Sequence, residues 1–207
     1  WRALLARVAV GGVLETASAD DDSRWNGFQV AACAMARGAC IGARFRSVAQ
    51  EAWAVPRLIS AADRRSSELT ATASLSWQVG RMSVAPAVGA GIGWLRSARH
   101  EALCGNPGGE VNPTPECDPL AGPYFSDGFG VTTIAPRLDT AVAVAVELVD
   151  HVWLEGILSV GVAVGAHRDP HVPSAMDPIL QPPEVGALPG EPTSFLRAGV
   201  GVRIGGR

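Results

Sequence analysis

Lysine is absent from this chain of 207 residues, so its 17 basic residues are all arginine. We attribute that absence to compositional bias rather than to function. Charged residues make up only 18% of the chain, and the net charge of -3 is close to neutral. Because nucleic-acid-binding proteins carry a basic patch or stripe, this balance argues against a nucleic-acid partner.

Long hydrophobic runs are also missing. A membrane helix needs about 18–20 consecutive apolar residues, and the longest apolar stretch, Ala141 to Val149, is interrupted by Glu147. The chain is nevertheless 47% hydrophobic, with aromatics at only 6% and 24 glycines. Apolar content that is mostly Ala and Val suits strands in a tight tube better than helices.

The stretch from Glu68 to Arg99 contains the clearest regular pattern. Bulky apolar residues alternate with small or polar ones on both sides of Gly80-Arg81, which predicts a hairpin of two long strands. The residues of the bulky face are Leu69, Ala71, Ala73, Leu75, Trp77, Val79, Met82, Val84, Pro86, Val88, Ala90, Ile92 and Trp94. A soluble, lipocalin-like barrel would need that face inside on every strand. We expect the reverse, with lipid outside and a narrow polar lumen inside.

Similar alternation predicts further strands at about 3–15, 25–35, 39–53, 131–149, 152–167 and 194–205. Short turns are expected at Ala36-Arg37, Gly80-Arg81 and Asp150-His151, and a bulge at Gly11-Gly12. Long loops are expected at about 16–24, 55–65, 100–130 and 168–192. Short turns on one side and long loops on the other are typical of outer-membrane barrels. The fold prediction is therefore one all-β domain, a closed antiparallel up-and-down transmembrane barrel of about eight strands.

Aromatic residues near strand ends are consistent with girdles at the two membrane interfaces. The predicted interface aromatics are Trp25, Phe28, Trp53, Trp77 and Trp94. Trp153 has the opposite parity and is expected to face inward.

With this pattern the chain resembles the small eight-stranded bacterial outer-membrane barrels, the OmpA-like and OmpX/OmpW-like group. Its closing segment, Ala198 to Arg207, looks like the terminal strand by which assembly machinery recognises such barrels. The resemblance implies localisation in the bacterial outer membrane and an interior filled by side chains or small water pockets. It implies outer-membrane lipid, lipopolysaccharide and the barrel-assembly machinery as partners. Export needs a signal, so we expect a mature product or a piece of a longer precursor.

Several charged residues have inward parity, and buried charges require partners. We expect Arg7, Arg203, Glu147 and Glu155 to cluster in the periplasmic half of the lumen. The full predicted salt-bridge network comprises Arg7, Arg203, Glu147, Glu155, Arg137 and Asp139.

The four cysteines form two local pairs, Cys33 with Cys40 and Cys104 with Cys117. Two disulfides in an oxidising compartment are favoured over a zinc site, because no Cys-x-x-Cys spacing or neighbouring His supports metal. In the first hairpin the two cysteines are expected directly opposite each other, facing the lumen.

Catalytic chemistry has weak support. His167, Asp169 and His171 are candidates for a metal site or for a rim acid/base group, with Ser126, Asp127 and His100 as complements. No hydrolase motif accompanies them, and solvated loop residues are the favoured interpretation. We therefore expect no catalytic residues, no metal and no cofactor. A structural or surface-interaction role is preferred, with a narrow channel for small or apolar solutes, or a lipid-modifying or hydrolytic rim enzyme, as alternatives. The extracellular ligand or partner, if there is one, stays open.

Overall fold

The computed structural model describes residues 7–50, 60–103, 124–126, 130–165 and 192–205. Its strands are β1 (Val8–Ala19), β2 (Arg24–Ala36), β3 (Ala39–Gln50), β4 (Ser60–Leu75), β5 (Trp77–Val79), β6 (Met82–Leu103), β7 (Tyr124–Ser126), β8 (Gly130–Val149), β9 (Val152–Ala163) and β10 (Ser194–Gly205). Within these ranges no helix is long and apolar enough to cross a membrane.

The sheet closes on itself. Its strands follow the order β4-β3-β2-β1-β10-β9-β8-β6, and the pairing of β4 with β6 completes the ring. β5 continues β4 after a break at Ser76, whereas β7 is a short strand paired to the end of β6. All these pairings are antiparallel. The wall is therefore a closed antiparallel barrel of eight strands, as the sequence predicted.

The outer face is apolar along every wall strand. Exposed large hydrophobic residues include Leu14, Ile41, Leu69, Trp77, Val88, Ile134, Leu158 and Val200. On β4 and β5 this face is apolar from Leu69 to Val79, about 33 Å along the strand at ~3.3 Å per residue. A strand tilt of about 40° reduces that length to a height of about 25 Å, which equals the apolar band of outer-membrane barrels. The height of the apolar exterior therefore matches the hydrocarbon layer that outer-membrane barrels span.

Two of the three predicted short turns lie where expected. Gly80-Arg81 joins β5 to β6, with Val79 opposite Met82, and Asp150-His151 joins β8 to β9. The first turn is Arg37-Gly38 rather than Ala36-Arg37, because Ala36 pairs with Ala39. Both turn residues have positive φ, 51° for Arg37 and 82° for Gly38. A two-residue hairpin turn of this type favours glycine, which fixes the turn one residue later.

The predicted bulge at Gly11-Gly12 is wrong. β1 pairs with β10 from Ala9 to Ala19 in an unbroken register, so residues 9, 11, 13, 15 and 17 all face inward. β1 consequently continues to Ala19, and the first connection shortens to the residues between Ala19 and Arg24. A register irregularity lies instead at Glu147/Val149, where β8 meets β9.

Candidate functional site in the barrel interior

An apolar plug closes the lumen at the long-loop end. Trp25 and Phe195 are buried there, with ring centroids 6.3 Å apart in an edge-to-face arrangement. Ala17, Val48 and Leu95 complete the buried cluster. Side chains from β1, β2, β3, β6 and the start of β10 therefore meet across the long-loop end of the barrel, and their aromatic rings fill its cross-section.

Beneath this plug, three arginines converge on one carboxylate oxygen. Glu68 Oε1 lies 3.0 Å from Arg46 Nη1, 3.1 Å from Arg197 Nη2 and 3.6 Å from Arg137 Nε. Glu68 is 1% exposed. Since β4 and β10 are on opposite sides of the ring, the contact between Glu68 and Arg197 crosses the lumen.

Two further carboxylates extend this charged layer. Arg46 also pairs with Glu15 of β1, and Arg44 pairs with Asp139 of β8. Arg197 Nη1 lies 3.9 Å from Asp139 Oδ2. All the charged side chains of the layer are buried: Arg44, Arg46, Arg137, Arg197, Glu15, Glu68 and Asp139. Four cations and three carboxylates leave one net positive charge, and ion pairs of this kind are needed to offset the desolvation of each group.

The guanidinium groups also tie the charged layer to the plug. Arg137 and Arg197 lie with Cζ 5.5 Å from the centroid of the Phe195 ring, and Arg46 lies at 5.8 Å. A cation within about 6 Å of an aromatic face is attracted by the ring quadrupole. The plug and the charged layer therefore form one continuous closure, which we call the upper barrier.

Inward glycines make room for the upper barrier. A methyl group on Gly89 would lie 2.7 Å from Asp139 Oδ1, and one on Gly161 would lie 2.6 Å from Arg197 Nη2. A methyl group on Gly93 would collide with Arg137 Nε. The Gly-x-Gly-x-Gly stretch of β6 thus lies in mid-strand and serves close packing in the lumen.

Below the charged layer is a cavity of about 130 Å³. Small residues of several strands form most of its wall, among them Ala9, Gly11, Ala31, Ala85, Ala87, Ala141 and Ala143, while Arg44 lies at its upper side. Arg203 and Glu155 border it toward the short turns, with Arg203 Nε 3.4 Å from Glu155 Oε2. Arg203 Nη2 donates to Ser83 Oγ at 3.2 Å, and its Cζ lies 5.2 Å from the Trp153 ring centroid.

The structure places four of the six residues of the predicted network at two levels of the lumen. Arg203 and Glu155 meet at the short-turn end, whereas Arg137 and Asp139 belong to the charged layer. Glu147 is buried and accepts a hydrogen bond from the His151 backbone at 3.4 Å. Arg7, expected inside, is exposed. It has inward parity but precedes the first residue of β1, so its side chain lies beyond the wall.

The central carboxylates were missing from the predicted network. Glu68 shares the parity of Thr70 and Thr72, so its inward direction was readable from the alternation. The predicted network omits Glu15, because the expected phase change at Gly11-Gly12 turns the Glu15 side chain outward. The arginines Arg44, Arg46 and Arg197 have inward parity, but their partners could not be assigned from alternation alone.

A disulfide joins Cys33 and Cys40 on the lumen side of the first hairpin, with Cα atoms 5.6 Å apart. The two residues are diagonal rather than directly opposite, because Cys33 pairs with Gly42 and Cys40 pairs with Met35. This offset follows from the turn at Arg37-Gly38. Cys104 and Cys117 lie outside the described residues.

The rim of the long-loop end is held by a second set of polar contacts. Arg64 Nη1 donates to Asp21 Oδ2 at 2.9 Å and to Gln50 Oε1 at 3.3 Å, and its Cζ lies 5.0 Å from the Trp25 ring centroid. Partial burial opposes ionisation of Asp21, but hydrogen bonds from Ser23 and the charge of Arg64 outweigh it and hold the pKa of Asp21 below its ordinary value. Asp21 is therefore the ionised partner of Arg64, whose guanidinium group lies over the Trp25 ring of the plug.

The predicted interface aromatics separate into two groups. Phe28, Trp77 and Trp94 lie on the outer face, Trp77 beside a short turn and Trp94 toward the long loops. Trp25 is instead fully buried in the plug, because it shares the inward parity of Gln29. Trp153 is buried, as its parity indicated, and Trp53 lies outside the described residues.

The weak metal or catalytic candidates His167, Asp169 and His171 also lie outside the described residues, as does Asp127. Ser126 ends β7 and pairs with Glu101 of β6. In the described ranges, no group of three or more His, Cys, Asp or Glu side chains is arranged to hold a metal ion.

An apolar exterior, a closed eight-stranded wall and a charged interior together define a small outer-membrane β-barrel.

No family model matches the sequence, and no curated protein matches it either. The fold is similar to that of a major outer membrane protein from Thermus thermophilus, with a TM-score of 0.63 and 12% identity over 96% of this chain and 98% of that one. It is also similar to Neisserial surface protein A, with a TM-score of 0.52 and 12% identity over 96% and 95% of the two chains. Ail, the attachment invasion locus protein of Yersinia pestis, has a TM-score of 0.50 and 8% identity over 96% and 97%. The apolar belt and this shared fold agree with the expected localisation in a bacterial outer membrane.

Proposed function

We propose that this barrel is a structural or surface-interaction protein of the outer membrane and that its lumen does not conduct. The observation that carries the proposal is the upper barrier, in which Glu68 Oε1 binds arginines from three other strands across the lumen. Ions would have to break several buried pairs at once to pass, and each broken buried pair is costly. The plug around Trp25 and Phe195 adds an apolar layer above.

Planar-bilayer conductance tests this proposal. We expect the purified barrel to insert without producing discrete conductance steps. A variant that removes both parts of the barrier, Glu68→Ala with Arg197→Ala and Phe195→Ala, should produce steps if it still shows heat-modifiable migration in detergent gels. Reproducible steps from the unaltered protein would refute the proposal.

A narrow channel for small or apolar solutes is the second candidate function. The cavity of about 130 Å³ supports it, because the lower lumen already has open space and walls of small residues. The same conductance measurement decides between the two functions for ions. For uncharged solutes, a liposome-swelling assay should show no uptake by the unaltered barrel, and uptake would favour the channel.

A catalytic role is not part of the proposal. Phospholipid and ester turnover by the reconstituted barrel should equal the background, and a His167→Ala variant should behave in the same way. Turnover that the His167→Ala substitution abolishes would establish the rim enzyme instead.

The surface-interaction role rests on the predicted long loops, since loops on a rigid scaffold commonly carry binding residues. It also rests on the fold shared with a protein named as a surface protein and with one named for attachment.

A further inference from the structure

The cavity below the charged layer has polar ends and a mostly apolar wall. Arg44 lies at its upper side, and Arg203 and Glu155 border it toward the short turns. Between these ends the wall is formed largely by small apolar side chains such as Ala87 of β6 and Ala143 of β8. A molecule that fills this space therefore needs a polar group at one end and an apolar body.

Arg44 has hydrogen-bonding capacity that its protein partner does not use. Its Nη2 donates to Asp139 Oδ2, whereas its Nε has no hydrogen-bond partner within the part of the chain that the structure describes. Asp139 is also shared, because Arg197 Nη1 lies 3.9 Å from the same oxygen. The Arg44 side chain keeps 8% exposure, and since the plug closes the lumen above it, this exposure is toward the cavity. A guanidinium group carries five N–H donors, so Arg44 can bind a further acceptor.

Water alone is a poor occupant of this cavity. A buried water needs two to four polar partners, and the hydroxyl groups of Thr72 and Ser74 supply them only beside β4. The alanine side chains of β6 and β8 supply none. A carboxylate forms charge-assisted hydrogen bonds with a guanidinium group, and a short alkyl chain gains by covering the alanine wall.

The volume of the cavity limits the length of that chain. The cavity measures about 130 Å³, and a protein cavity of about 150 Å³ holds benzene, so the ligand has about six non-hydrogen atoms or fewer. Propionate is within this size. The open side is toward the short turns, where Glu155 and Arg203 keep 12% and 16% exposure.

We propose that the lower lumen is a binding pocket for a short-chain monocarboxylate, which reaches it from the short-turn side. Its carboxylate binds Arg44, and its alkyl chain lies against the alanine wall. The pocket goes beyond the proposed function, because the upper barrier closes it above and binding needs no passage through the lumen. Conductance measures passage and the experiment below measures binding, so the two proposals fail separately.

A titration with propionate tests the pocket. The intact barrel in uncharged detergent would be mixed with propionate labelled with ¹³C at its carboxyl group, and the carboxyl resonance would be followed against micelles without protein. We expect saturable binding of propionate and none of propionamide, which has the same shape without the charge. Because a hydrogen bond to a charged group is among the stronger ones, Arg44→Gln should weaken propionate binding about tenfold or more.

A pair of alanine variants tests the pocket without altering a charge. Ala87→Leu fills part of the cavity and should abolish propionate binding. The matched control is Ala90→Leu, which adds the same group to the exposed outer face of the same strand and should bind as the unaltered protein does. Heat-modifiable migration reports on the folding of each variant.

Three results would overturn the pocket. The first is the absence of saturable propionate binding by the unaltered barrel, which would leave water as the only occupant. The second is equal binding of propionamide, because Arg44 would then contribute no charge recognition. The third is unchanged binding by Ala87→Leu, which would place the bound propionate outside the cavity.

Discussion

Replacing Glu68 with glutamine should destabilise the barrel more than any other conservative change of a lumen carboxylate. The substitution keeps the shape of the side chain but removes the charge that faces Arg46, Arg197 and Arg137 at 3.0, 3.1 and 3.6 Å. The layer would then hold four guanidinium groups and only two carboxylates. Removing one partner of a buried ion pair costs about 3–5 kcal/mol, because the remaining charge stays desolvated.

Glu155→Gln is the matched comparison for Glu68→Gln. Its carboxylate has one arginine neighbour at 3.4 Å, and both side chains retain some exposure, 12% for Glu155 and 16% for Arg203. Solvent therefore replaces part of the lost interaction, and we expect a cost of only about 1–2 kcal/mol.

The assay is reversible urea unfolding in lipid vesicles, followed by tryptophan fluorescence, with heat-modifiable migration as a second probe. We expect Glu68→Gln to lower the free energy of unfolding by at least ~2 kcal/mol more than Glu155→Gln does. Values for Glu68→Gln within ~1 kcal/mol of the unaltered protein would refute the central role of this carboxylate.

Three further changes test the packing, the disulfide and the rim. Gly93→Ala should cost about 1–3 kcal/mol in unfolding free energy, because the added methyl group collides with Arg137 in a filled cross-section. Reducing the Cys33–Cys40 bond, which closes a loop of sequence separation 7, should lower stability by about 2 kcal/mol in a denaturant titration. The pKa of Asp21 is lower in the folded barrel than in the unfolded chain, so its contribution to stability is present at neutral pH and is lost as the pH falls below about 4. The difference in unfolding midpoint between the unaltered protein and Asp21→Asn should therefore shrink on acidification.

Each of these changes has a control within the chain. Gly12→Ala adds a methyl group with no neighbour within 4 Å, so it should leave stability nearly unchanged. A variant with serine at positions 33 and 40 should lose the part of the reductant effect that comes from the Cys33–Cys40 bond, which leaves only the effect of the predicted Cys104–Cys117 bond. Asp22→Asn alters an exposed neighbour of Asp21 and should show no comparable pH dependence. A pH-independent difference for Asp21→Asn would contradict the rim ion pair.

Much of the wall followed from alternation alone, since period two fixes which side chains point outward. Ile41, Leu138 and Val200 are exposed on the outer face as their parity indicates. The interior was harder, because parity states that Glu68 and Arg197 point inward but not that they meet. Their contact depends on the stagger between strands on opposite sides of the ring, and no local pattern encodes that stagger. The predicted turn at Ala36-Arg37 and the predicted bulge at Gly11-Gly12 are each wrong by one residue of strand register. The second error alone assigns Glu15 to the outer face and so excludes it from the predicted network.

The charged layer also constrains how such a protein can enter a membrane. Glu68 forms ion pairs with arginines of β3, β8 and β10. These charges therefore neutralise one another only when strands far apart in the chain have come together. As the long-loop end crosses the bilayer, an open, partly curled sheet would present these arginines to hydrocarbon, at about 2–4 kcal/mol each when they pass the midplane. Closure and insertion should therefore occur together, and the ion pairs that block the finished tube would act during biogenesis as a checkpoint against premature entry into the bilayer.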